Sequence, residues 1–202
     1  MKRFALLAIC CFSIMAWSTA SASVVTWSVG DPGTTYQMWD FSTNLNPAAP
    51  EIDQNPFGEA VAKISNGMNP DFVWANGVWS GTKFSLAVDI PNQPIANPYK
   101  EVLVELVYKG TIVLDWVMNA QWDNFTNIYS EDIDLGNGWM KRVDVWRIEP
   151  NPDWERICYG FNPEVTGAPA AIDSIAVSTI CIPEPMTLGL LGLGFAALRR
   201  KK

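Results

Sequence analysis

Roughly every eight to twelve residues between positions 23 and 182, a Gly, Pro, Asn or Asp interrupts the chain, and the runs between the breaks alternate apolar with polar side chains. No long stretch keeps the three- and four-residue apolar spacing of a helix. Phe84, Leu86, Val88 and Ile90 interleave with Lys83, Ser85, Ala87 and Asp89, which predicts a strand with one buried and one wet face. Val102, Val104, Leu106 and Tyr108 repeat the pattern, and Ile112, Leu114, Trp116 and Met118 follow it. Lys109-Gly110 predicts a two-residue hairpin loop between those two runs. Gly136-Asn137-Gly138 predicts another hairpin, joining a run at 129–135 to one at 139–148. In the latter, Val143 and Val145 are out of phase with Trp146 and Ile148, which predicts a bulge near Val145. Further strands are expected at 24–29, 36–42, 59–65, 155–161 and 171–181. The whole predicts an all-β fold, a single antiparallel β-sandwich or jelly roll. The proline-rich segments 44–57 and 91–99 are expected to run over its surface.

The two ends read differently. Lys2 and Arg3, the apolar run Phe4–Trp17 and the small residues around Ala20 and Ala22 predict a signal peptide over 1–22, cut between Ala22 and Ser23. Its apolar run is short for a membrane span. Residues 23–182 then form the one domain, long enough to bury a full core. Six of the fourteen Lys and Arg lie in the ends and one of the twenty-one acids is Glu184, so the domain holds eight bases, twenty acids and a net charge of −12. Such a surface repels phosphate backbones, which argues against a nucleic-acid partner. Cys158 and Cys181 are the cysteines left after cleavage, and in an exported chain they are expected to pair. A simple hairpin would leave Cys181 about 20 Å past Cys158 along the strand. Pairing therefore requires the last strand to bend or to sit elsewhere in the sheet.

The chain has no histidine. That excludes His-activated serine or cysteine nucleophiles, His-bound zinc and imidazole acid–base work, and the chain is expected not to be an enzyme. Carboxylate pairs remain, with Asp132 and Asp134 on one strand face and Asp115, Asp123 and Glu131 as others, so a secreted glycosidase stays as an alternative. Glu131, Asp132 and Asp134 also offer oxygen ligands for a structural calcium; Ile133, Leu135 and Arg142 break the EF-hand spacing, and no other cofactor is expected. Ten tryptophans are the main positive signal. Trp27, Trp39, Trp116 and Trp146 fall in strand patterns and are expected in the core. Trp74, Trp79, Trp122, Trp139 and Trp154 lie in or beside Asn/Gly/Asp-rich loops. Of these, Trp74, Trp79 and Trp122 are candidate platforms for sugar rings, which makes extracellular polysaccharide a candidate partner. The alternative is that they cap the core.

Residues 183–202 read PEPMTLGLLGLGFAALRRKK. Thirteen uncharged residues, Met186–Leu198, follow Pro183, Glu184 and Pro185, and Arg199, Arg200, Lys201 and Lys202 close the chain. As a helix the run spans ~20 Å, short of a hydrocarbon core of ~30 Å, and the basic cluster is expected to stay cytoplasmic. The triplet, Gly/Leu-rich run and basic end resemble the PEP-CTERM sorting signal of bacterial exported proteins. The resemblance implies recognition of Pro183, Glu184 and Pro185 by an exosortase and release of the domain towards the envelope or matrix after transient membrane anchoring. The run leading into the triplet is similar to the closing strand of cargo proteins with lectin-like or galactose-binding-like sandwiches. The sequence thus points to an exported, surface-associated structural protein, with a carbohydrate-binding module as the alternative.

Overall fold

The computed structural model of the chain describes residues 24–65, 72–95, 97–118, 125–163 and 167–182. Among them there is no helix. The strands are β1 (Thr34–Trp39), β2 (Ile52–Asp53), β3 (Val61–Ser65), β4 (Phe72–Ala75), β5 (Val78–Gly81), β6 (Phe84–Pro91), β7 (Tyr99–Lys109), β8 (Thr111–Met118), β9 (Phe125–Gly136), β10 (Trp139–Ile148), β11 (Trp154–Asn162) and β12 (Ala170–Ile182). They form two antiparallel sheets. The larger runs β2-β1-β12-β7-β10-β9, with β5 also on β12 and β4 on β5, and the smaller runs β3-β6-β11-β8. β12 is the central strand of the larger sheet. β7 pairs along one edge of it, and β1 and β5 share the other.

One apolar core lies between the sheets. Val102, Val104, Leu106, Ile148, Ile172, Ile175 and Val177 come from the larger sheet, and Leu86, Val88, Ile157, Tyr159 and Phe161 from the smaller. Aromatic rings bridge the layers: Tyr108 and Phe161 have centroids 6.1 Å apart, and Phe161 stacks on Phe84 at 5.2 Å. The alternation seen in the sequence becomes alternation of burial. β6 is buried at every second residue from Phe84 to Ile90.

Several expectations hold. β10 spans the predicted 139–148, and the β9–β10 hairpin turns at Asn137 and Gly138, both at positive φ (55° and 77°) as a type I′ turn needs. A bulge does occur at Val145, but the extra residue is on the partner: Val145 faces Tyr129 and Trp146 faces Asn127, leaving Ile128 over. β10 itself keeps one phase. Its even residues oppose core residues of β7, so Arg142 and Asp144 face inward with Met140, Trp146 and Ile148.

Four expectations are corrected. Lys109-Gly110 does not close a hairpin. β7 and β8 belong to different sheets, and the chain turns a corner at Gly110 (φ +98°). Residues 24–29 form no strand, because the segment folds into a turn at Ser28–Asp31 and Trp27 buries its ring with Nε1 donating to Glu101 Oε2 at 3.1 Å. The stretch read as a Trp-bearing loop contains the β4–β5 hairpin, turning at Asn76-Gly77 with both φ positive. Finally, Cys158 and Cys181 are both free and buried. Cys158 is on β11 of the smaller sheet, between neighbours Ala87 and Trp116, while Cys181 is on β12 of the larger sheet beside Lys100. The last strand does sit elsewhere, and that separates the thiols instead of joining them.

Candidate functional site

The larger sheet is wider than the smaller, and its β10–β9 edge carries inward-facing polar residues. Asp144 is wholly buried; its Oδ2 accepts from the Tyr159 hydroxyl of the opposite sheet at 2.7 Å, and its Oδ1 accepts from Arg142 Nε at 2.8 Å and from the Ser130 hydroxyl. Arg142 Nη1 donates to Asp132 Oδ2 at 2.9 Å, and the Tyr108 hydroxyl donates to Asp132 Oδ1 at 3.1 Å. The register explains the grouping, since Asp132 and Ser130 on β9 stand opposite Arg142 and Asp144 on β10. Burial favours neutral Tyr108, and the neighbouring Asp132 charge adds to it, so its hydroxyl is pushed up to about 12. Burial works against the Arg142 charge, but Asp144 and Asp132 hold its guanidinium above its ordinary value.

Beside this chain of bonds lies a cleft of about 320 Å³, lined by Tyr108, Asp132 and Arg142 on one side and Thr111, Ile112 and Val113 on the other. Asp132 keeps 37% of its side chain exposed there and Arg142 17%. A second hollow of about 270 Å³ lies on the outer face of the smaller sheet, where Trp154 and Pro91 flank the paired Arg156 and Asp89. That pair is bidentate, with Arg156 Nε and Nη2 donating to the two Asp89 oxygens at 2.5 and 2.7 Å.

The residues singled out from sequence scatter. Trp74 and Trp79 oppose each other on β4 and β5, but both turn inward. Trp79 is buried edge-on to Phe72 at 5.5 Å, and Trp74 packs on the core with Nε1 donating to the Phe41 carbonyl at 2.8 Å. The hairpin thus packs Trp79 into the core and Trp74 partly against it. Trp122 lies outside the described residues, as do Asp123, Ala22 and Ser23, and the tail from Pro183 to Lys202 with its expected apolar helix. Asp132 and Asp134 diverge: Asp132 holds Arg142, while Asp134 Oδ1 accepts the Gly136 N–H at 2.7 Å and caps the turn. No group of acids suited to a metal ion occurs among the described residues. Sequence reasoning missed Arg142, Asp144 and Tyr108. The signal was present as a charged pair in the apolar phase of β10.

At its C-terminal end the central strand runs to Ile182, which pairs with Tyr99. From that residue on, positions 182–202 match the PEP-CTERM protein-sorting motif. The chain carries an exosortase-sorting tail. PEP-CTERM tails mark exported, envelope-targeted proteins that an exosortase processes. No curated protein and no solved structure matches the chain. The PEP-CTERM tail therefore says where the domain is sent, and the sites above carry what can be said of its work there.

Proposed function

We propose that residues 23–182 are the cargo of the PEP-CTERM tail, a β-sandwich delivered to the envelope or matrix for a structural, surface-associated role without catalysis. The observation that carries this is the join itself: the sorting motif starts on the last residue of the central strand, which supports reading the described strands upstream as its folded load. In this reading Met186–Leu198 holds the protein at the membrane only until exosortase acts at Pro183, Glu184 and Pro185, with Arg199–Lys202 on the cytoplasmic side. The non-catalytic part is supported by Asp132 in the cleft and the buried Asp144 beside it. Asp132 and Asp144 each give oxygens to Arg142 and to a tyrosine, which is how structural carboxylates are held rather than a free acid and base. Replacing Pro183 and Glu184 by Ala in a host with exosortase tests the reading. Retention of the variant in the membrane fraction is expected, and release equal to the unaltered protein contradicts it.

A second reading, carbohydrate binding, rests on Trp154. Its half-buried indole stands in a surface hollow beside the planar Arg156–Asp89 pair, an aromatic face next to groups that bond vicinal hydroxyls. A polysaccharide pull-down in which the intact domain binds and Trp154→Ala does not supports it. Equal retention of both proteins, or of neither, removes it.

A further inference from the structure

At the end of the core where the chain crosses from β6 to β7, three polar side chains are shut away from water. Lys100, on the inward face of β7, and Glu155 on β11 are both fully buried, and Asn92 just past β6 is 5% exposed. Lys100 Nζ donates to Glu155 Oε1 at 2.7 Å and also meets Asn92 Oδ1. Asn92 Nδ2 donates to Glu155 Oε2, and to the Pro152 carbonyl at 2.8 Å. Asn92 is pinned through its backbone as well, its N–H donating to the Asp153 carbonyl at 2.9 Å. One carboxyl thus touches both the amine and the amide nitrogen, and the amide carbon lies one bond beyond the oxygen that the amine meets. A buried Lys–Glu pair needs further hydrogen-bond partners, and the Asn92 amide supplies them. Here an amide electrophile is held against the amine as well.

We propose that Lys100 and Asn92 become joined by an intramolecular isopeptide bond, with Glu155 carrying the proton. Glu155 first takes a proton from the Lys100 ammonium, giving an amine and a carboxylic acid, which a water-free site tolerates better than two ions. Burial pushes the Glu155 carboxyl above its ordinary value, with Lys100 and Asn92 opposing. The amine lone pair attacks Asn92 Cγ, so the Nζ–Cγ bond forms. Glu155 hands its proton to Nδ2 and takes one from Nζ, the Cγ–Nδ2 bond breaks, and one ammonia leaves. The products are a secondary amide, ammonia and a neutral Glu155. Atoms and charge balance with no oxidant or reductant, and two buried charges are gone. β6 lies in the smaller sheet and β7 in the larger, so the bond closes the crossover between the layers into a covalent ring.

Mass spectrometry of the full chain, unfolded and digested with trypsin, tests this. The expected product spans residues 84–109, uncut after Lys100 and lighter than its sequence by one ammonia. Glu155→Gln is expected to restore cleavage after Lys100 and the full mass. Two results on the unaltered protein overturn the proposal whatever the variant does. One is a full-mass 84–100 peptide. The other is loss of ammonia with Lys100 still cut, which marks Asn92 closing on its own backbone.

Discussion

Gly110 is the corner on which the two layers hinge, and Gly110→Ala is the sharpest test of the packing there. An added Cβ would lie 2.7 Å from the Asn162 carbonyl oxygen and 2.8 Å from Ala170 Cβ, with Ala170 Cα at 3.1 Å. Two of these three neighbours are backbone atoms of β11 and β12 and cannot swing aside. The backbone, at φ +98°, is a conformation that costs an L residue roughly 1–2 kcal/mol. Overpacking against a fixed neighbour adds about 1–3 kcal/mol. The sum, about 2–5 kcal/mol, lowers the midpoint of a domain of this size by roughly 5–15 °C. Gly136→Ala is the control, because its φ is +85° and nothing lies within 4 Å of the added atom. It carries the backbone cost without the clash. Thermal unfolding of both variants by circular dichroism, with urea titration to check that the m-value is unchanged, separates the two costs. If Gly110→Ala loses no more stability than Gly136→Ala, the corner is not packed as described.

Other expectations follow from single contacts. Gln37 is fully buried on β1, and among the described residues neither of its side-chain polar atoms has a partner, so Gln37→Met is expected to stabilise the domain by roughly 1–3 kcal/mol in urea unfolding; a loss of stability counts against this. Folded Tyr108 holds its proton to about pH 12, against 10.0 for an ordinary tyrosine. Between those values the folded state binds more protons than the unfolded one, so this contribution is complete below pH 10.0 and is lost as pH rises towards 12. Stability of the unaltered protein relative to Tyr108→Phe should therefore fall over that window, and parallel curves would refute the contact. Burial pushes the Cys158 thiol up to about 11 and that of Cys181 upward as well. The protein lacking residues 1–22 should thus react slowly with a thiol reagent at pH 8 while folded, and give two thiols once unfolded without reductant. Labelling that appears only after reduction would restore the bridge.

The sequence reveals period and turn chemistry well and reveals partners in space poorly. β10 was legible because its start is set by Asn137-Gly138, whose left-handed conformations only a few residue types accept. Lys109-Gly110 carries a similar local signal, yet Gly110 serves a corner between sheets. Period-two alternation does not say which sheet a strand joins. The β4–β5 hairpin was hidden because its strands are four residues each and its tryptophans resembled loop platforms. The inward Arg142–Asp144 pair was misread as a phase flip, because its partners Asp132, Ser130 and Tyr159 come from β9 and from the other layer. The grouping of Asn92, Lys100 and Glu155 was likewise beyond reach, since it depends on β6, β7 and β11 meeting at one end of the core.

In the proposed function the folded domain is cargo for a removable tail. The mass of the mature protein recovered from a host that contains exosortase tests it directly. A chain beginning at Ser23 and ending close to Pro183–Pro185, with β12 intact, is the predicted product. A mature chain that still ends in Arg199-Arg200-Lys201-Lys202 contradicts it.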